Sequence, residues 1–196
     1  MKKVNELGAL GLTGEHYWLD NPSQNELNTF CEEHVDDIKL RYLSVQGSVR
    51  GVKITDFTAL SHLPSLRELY IHDAITQQNF EQICTLTNLE ELHIYHAGKL
   101  STLEPLQGLS NLRGLTITTP TSWLSRLLKL PTLKPMSGMM GLEYLNLAGI
   151  VFISDGLKPL QKLTGLRDLV VIKSYWHEAE ELKMHNPKLN VNNLTL

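Results

Sequence analysis

Residues 54–71 read ITDFTALSHLPSLRELYI, and two spacings meet in them. Ile54, Phe57, Leu60, Leu63 and Leu66 recur every third residue. Leu66, Leu69 and Ile71 then spell a leucine, two variable residues, a leucine, one variable residue and an aliphatic residue. Period three suits a short 3₁₀ or single-turn helix, which has three residues per turn. The alternation that follows suits a strand buried on one face, with Leu69 and Ile71 inward and Glu68, Tyr70 and His72 outward.

The six-residue phrase returns at Leu89–Leu92–Ile94, Leu112–Leu115–Ile117, Leu142–Leu145–Leu147 and Leu166–Leu169–Val171. Weaker copies stand at Leu7–Leu10–Leu12 and Leu40–Leu43–Val45. The first leucines fall at 7, 40, 66, 89, 112, 142 and 166, with gaps of 33, 26, 23, 23, 30 and 24. A phrase that repeats at this interval marks a stack of coils. One such strand buries nothing by itself, but parallel strands about 4.8 Å apart share a continuous core.

The return segments carry their own patterns. Leu100, Leu103, Leu106, Leu109 and Leu112 repeat the period of three, as do Leu157, Leu160, Leu163 and Leu166, with Ile153 grouped with them from four residues upstream. NPSQNELNTFCEEHV reads instead as a helix, with Pro22 in its first turn and Leu27, Phe30, Cys31 and Val35 on one face. TQQNFEQICTL and WHEAEELKMH read the same way.

On these residues the chain resembles a leucine-rich repeat protein over about residues 7 to 191. The 54–71 stretch is similar to the short repeats of the bacterial internalin and SDS22-like class, and the helix-bearing coils to the ribonuclease-inhibitor class. The resemblance implies an α/β fold: a right-handed solenoid with a parallel β-sheet on its concave face and short helices or 3₁₀ turns on its convex face. Residues 1–196 form a single domain of about seven to eight coils in this reading. The sequence departs from the family where an asparagine normally follows the strand: Ser48, Ala74, Ala97, Pro120, Ile150 and Ser174 stand there. Irregular turns are expected after the strands, because the backbone groups such asparagines satisfy must pair elsewhere.

Two registers fit the end of the chain. Val191–Leu194–Leu196 makes a further full phrase, or Leu189 and Val191 take its second and third apolar places. The second is preferred, because HNPKL follows a helix as LPSL follows a turn. The stretch SWLSRLLKLPTLKPMSGMMG in the long coil from Leu112 to Leu142 is read as an extra helix, a contact loop or more convex core.

The net charge of -3 and pI near 6.2 give no basic footprint, so no nucleic-acid partner is expected. No run of about 18 apolar residues is present, so no membrane span is expected. The start, MKKVNELGALGLTGEHYW, has no long apolar core or small-residue cleavage site, which points to a cytoplasmic protein. Cys31 and Cys84 read as buried small hydrophobes.

The outward strand positions make three lanes. Tyr42, Glu68, Glu91, Gly114, Tyr144 and Asp168 form the first, Ser44, Tyr70, His93, Thr116, Asn146 and Val170 the second, and Gln46, His72, Tyr95, Thr118, Ala148 and Ile172 the third. Tyrosine on a solvated sheet offers large area and a hydroxyl at small entropic cost, so Tyr42, Tyr70, Tyr95 and Tyr144 with His72 and His93 suggest a binding face. Cross-strand pairing that merely stabilises the sheet is the competing role. Glu68, Glu91 and Asp168 suggest a partner protein with a basic patch. Tyr17–Trp18, Trp123, Phe152 and Tyr175–Trp176–His177 are expected in loops along one rim. The strand face alone spans about 500 Å², below the roughly 800 Å² per partner of a standard interface, so Trp18, Trp123 and Trp176 are included in the contact surface.

His72, Asp73, His93 and His96 lack a tight ligand spacing, and surface histidines are preferred to a metal site. No phosphate loop, nucleophile elbow or Cys–His arrangement is visible, and no cofactor is expected. The function expected is therefore non-enzymatic protein binding, with an inhibitor or immunity protein as the family-based example. The alternatives are an adaptor working beside a catalytic partner, and a solenoid that self-associates through uncapped ends.

Overall fold

In a computed structural model, residues 2–3, 15–47, 54–72, 75–119 and 126–194 are described. Nine strands make one sheet: β1 (Lys2–Lys3), β2 (Glu15–Asp20), β3 (Leu40–Gln46), β4 (Glu68–His72), β5 (Glu91–Tyr95), β6 (Gly114–Ile117), β8 (Tyr144–Asn146), β10 (Asp168–Ile172) and β11 (Asn190–Leu194), in that order. Every pairing is parallel except that of β1 with β2. β7 (Leu128–Leu130) and β9 (Ile150–Phe152) pair with each other as a second, two-stranded parallel sheet.

The repeat phrase sets this register. Leu43, Leu69, Leu92, Leu115, Leu145 and Leu169 lie side by side across β3 to β10, each 0% exposed. Full burial of one leucine stabilises by about 1.5–3 kcal/mol, so a slip by one residue would turn a whole stack of them to solvent. The returns are 3₁₀ turns at Thr58–His62, Glu104–Gly108, Lys134–Met136 and Lys158–Lys162, and helices α1 (Gln24–Glu33), α2 (Gln77–Ile83) and α3 (Trp176–His185). Capping boxes start α1 (Ser23 with Glu26) and α2 (Thr76 with Asn79). Side-chain amides join successive coils: Gln24 Oε1 accepts from the Thr55 and Asp56 amides, and Gln77 Oε1 from those of Ser101 and Thr102.

Several expectations need correction. The strand of the first parallel coil is β2, where Tyr17 and Leu19 occupy the places of Leu43 and Val45; Leu7–Leu10–Leu12 lies outside the described residues. Tyr17 is buried against Phe30 and His34, with its hydroxyl donating to Glu15 at 2.8 Å. Pro22 precedes the Ser23 cap, so it is outside the first helical turn, and Val35 lies beyond α1, 43% exposed. Ile153 breaks the period of three and is 70% exposed, because it follows β9 before the convex turn begins. β11 adopts neither register considered: Val191 pairs with Leu169 and Asn190 with Asp168. This is a shift of two residues from the preferred register, which preserves which side chains face inward.

The long coil holds no extra helix among its described residues. It holds β7, whose Leu130 is buried, then buried Leu133, Met136 and Met139, with Met140 exposed. Ser48, Ala74 and Pro120 lie outside the described residues; around the other places without the asparagine, two solutions appear. Backbone pairs continue past the strands, as in Ala97 N to Thr118 O at 2.8 Å and Thr119 N to Ala148 O at 3.1 Å. Hydroxyls supply the rest. Thr119 Oγ1 donates to Gly149 O at 2.9 Å, and the buried Tyr175 hydroxyl accepts from Phe152 N at 2.6 Å. Gly149 has φ of 85°, and a Cβ there would collide with Thr119 Oγ1, so only glycine fits this turn. No helix among the described residues is long and apolar enough to cross a membrane.

Candidate functional site

The parallel register turns the sequence lanes into rows of touching side chains. On the outward face of β2 to β5, His16 contacts Tyr42 (ring centroids 5.0 Å apart), Tyr42 contacts Tyr70 (4.8 Å), and Tyr70 stacks on His93 (4.1 Å, planes 17° apart). In the next row His72 stacks on Tyr95 at 4.5 Å and 14°. Tyr70 and Trp18 each lie nearly parallel to His72 with centroids 6.5 Å away. The result is a raft of seven rings on four adjacent strands. Each aromatic pair contributes about 0.5–1.5 kcal/mol beyond its buried area, so the raft is held rigid before any partner arrives.

Burial within the raft is uneven. Tyr42, Tyr70, His72 and Tyr95 are partly exposed, whereas His93 is only 8% exposed. Its Nδ1 is 2.9 Å from Thr116 Oγ1 and its Nε2 is 3.1 Å from Glu91 Oε2. His93 thus supports the surface from beneath, fixing Glu91 and backing Tyr70. The hydrogen bond from His93 is the largest cause that holds the Glu91 carboxyl below the usual range, against some burial. Glu68, its cross-strand neighbour, is pushed up to about 7 by desolvation first and by the Glu91 charge second. Desolvation also pushes the Tyr42, Tyr70 and Tyr95 phenols up and the His72 imidazole down.

Beyond β5 the face changes. Gly114, Thr116, Asn146 and Val170 take the places of most of the rings, Tyr144 in β8 excepted, and a concavity of about 410 Å³ opens over Gly114, between Glu68 and Glu91 on one side and Tyr144 and Asp168 on the other. Along its edge runs a charged row that the three lanes left out: Arg41, Arg67, Glu90, Arg113, Glu143 and Arg167, each directly after the first leucine of its phrase. Glu90 lies 3.4 Å from Arg41 and 3.5 Å from Arg67, while Glu143 binds Arg113 at 2.6 Å and lies 3.7 Å from Arg167. The signal was readable as LRYL, LREL, LEEL, LRGL, LEYL and LRDL.

The expected rim is not assembled. Trp18 is 38% exposed but belongs to the strand face, beside Ser44 in β3. Phe152 and Tyr175 are buried. Trp176 is 47% exposed at the start of α3, with Lys183 Nζ 5.9 Å from its ring centroid, and Trp123 lies outside the described residues. Asp73 also lies outside them. Among the described residues, no group of three or more His, Cys, Asp or Glu is placed to hold a metal ion.

No protein-family model and no curated protein sequence matches the chain. Among solved structures, internalin C2 of Listeria monocytogenes superposes over 95% of this chain and 74% of its own, with a TM-score of 0.57 and 19% identity. This chain has the leucine-rich repeat fold. An internalin F of the same species, covering 91% of this chain and 62% of its own (TM-score 0.49, 18% identity), is a looser match to this leucine-rich repeat chain. So is a leucine-rich repeat protein of Leptospira interrogans, covering 79% and 47% (TM-score 0.46, 16% identity).

Proposed function

We propose that this leucine-rich repeat chain is a protein-binding module whose contact surface is the concave face of β2 to β5, with Trp18, Tyr42, Tyr70, His72 and Tyr95 as apolar anchors and Glu68 and Glu91 facing a basic patch on the partner. The observation that carries this reading is the raft of mutually stacked rings. Rings fixed by their neighbours lose little side-chain entropy on binding, and preorganised tyrosine and tryptophan are the side chains that dominate protein interfaces. The adjacent carboxylates favour a cationic partner and disfavour an acidic one.

The test takes the chain as bait in extract from its native source, then measures the recovered protein, once purified, by calorimetry. Tyr42→Ala with Tyr70→Ala is expected to weaken binding about tenfold or more while circular dichroism stays unchanged. Unaltered affinity in that double variant overturns the concave assignment.

A further inference from the structure

The charges around the Gly114 cleft do not balance. Arg113 is bound by Glu143 through two hydrogen bonds of 3.0 and 2.6 Å, and Arg167 is also drawn to Glu143. Glu90 takes Arg41 and Arg67. Glu91 is engaged by His93, and Asp168 accepts from Asn190 Nδ2 at 3.0 Å. Among the described residues, Glu68 has no ion-pair partner within 4.0 Å, although it is only partly exposed and stands beside Glu91. The cleft therefore holds a carboxyl that has lost water with no cation in contact, Arg41 acting on it only from beyond ion-pair distance.

We propose that the cleft floored by Gly114 receives an arginine side chain of the partner, whose guanidinium bridges Glu68 and Glu91. This rests on the reading of the concave face as protein-binding and names what one part of that face takes. Three features select arginine. Its flat fork can reach two carboxylates at once, whereas an ammonium is a point charge. Its plane can lie over the missing side chain at Gly114, since the residue on either side in that lane is large. The Tyr144 ring forms the opposite wall, and guanidinium packs well on tyrosine. The glycine leaves the space open: a Cβ there would meet Glu91 Cγ at 3.2 Å and Cδ at 3.3 Å, so the flexible Glu91 side chain would have to give by a few tenths of an ångström, and a larger side chain would extend into the cleft. No special backbone conformation demands glycine at this strand position, and a β-branched residue suits it.

The experiment titrates ¹⁵N-labelled chain with an acetylated, amidated Gly-Arg-Gly peptide and with its lysine and citrulline counterparts. The expected result is saturable shifts of the Gly114, Glu68 and Glu91 amides with the arginine peptide, several-fold weaker binding with lysine and none with citrulline. Gly114→Val and the milder Gly114→Ala are expected to keep the unfolding midpoint and reduce or abolish those shifts, and Glu68→Gln to reduce binding several-fold. Equal binding of the citrulline or lysine peptide, shifts that map elsewhere, or undiminished binding to a folded Gly114→Val chain overturns the assignment. The titration needs no partner, so its failure leaves the aromatic raft and its own alanine test standing. Loss of the raft's role, conversely, leaves these shifts unchanged.

Discussion

The two halves of the concave face share one leucine stack and differ in what stands on it. Across β2 to β5 most outward positions carry rings in contact; across β6, β8 and β10 they carry Gly114, Thr116, Asn146, Val170 and Asp168, with Tyr144 standing apart from the raft. Beneath both, Leu92 and Leu169 are equally buried. Scaffold and surface are thus specified by different positions of the same phrase, and the surface can change abruptly, at Gly114, without disturbing the core. The sharpest test of that separation lies in the core. Leu92→Ala and Leu169→Ala are each expected to destabilise by about 2–5 kcal/mol, from lost transfer energy plus a cavity. Urea unfolding followed by circular dichroism should give one transition for each variant. A second transition in either would mean the halves unfold separately, as weakly coupled repeat arrays do.

The segments after the strands differ between the halves in one respect. Backbone pairs backbone in both, as in Ala97 N with Thr118 O and Leu147 N with Val170 O. In the second half Phe152 N depends in addition on a side chain, the Tyr175 hydroxyl at 2.6 Å, in a buried setting. Tyr175→Phe leaves that amide without its partner and is expected to cost about 1–3 kcal/mol. Hydrogen exchange should show the Phe152 amide losing protection before those of β5. If it does not, another group serves the amide and the contrast between the halves is weaker than the geometry implies.

The leucines were legible because burial on one face forces a period that any reader can count. Tyr17 was not, since a tyrosine in a leucine place looks like a loop aromatic, and Leu7–Leu10–Leu12 offered a rival phrase upstream. The register of β11 escaped for another reason: shifts of two residues keep the same side chains inward, so the pattern cannot distinguish them. The lanes containing Tyr70 and His93 could be written down from the sequence. That His93 would be buried beneath its neighbours could not, because it depends on which rotamers the rings adopt across three strands. The arginine and glutamate row was present in plain letters, but its positions precede the alternating part of the phrase, where parity gives no instruction.

The smallest expected effect concerns the border between the halves. Glu68 is raised from 4.5 to about 7, by desolvation first, then by Glu91, with Glu90 adding and Arg41 opposing. Below about pH 4.5 the carboxyl is protonated in both folded and unfolded chains, and its burial costs nothing special. As pH rises toward 7 the unfolded chain gives up the proton while the folded one retains it, so stability falls through this window and levels off above it. Glu68→Gln keeps the shape and removes the charge. It is therefore expected to stabilise the fold at pH 8 by about 1 kcal/mol, after discounting for the solvent that still reaches the group. The corresponding rise in Tm is about 2–4 °C, shrinking toward zero at pH 4. Glu91→Gln should act in the opposite sense at neutral pH, because its carboxylate is held low by His93 and its ionised form stabilises the fold. Thermal unfolding of both variants at pH 4, 6 and 8 separates the cases. If Glu68→Gln stabilises equally at all three, the gain comes from packing, and the uncompensated charge that makes the Gly114 cleft a receptor for a cation is not there.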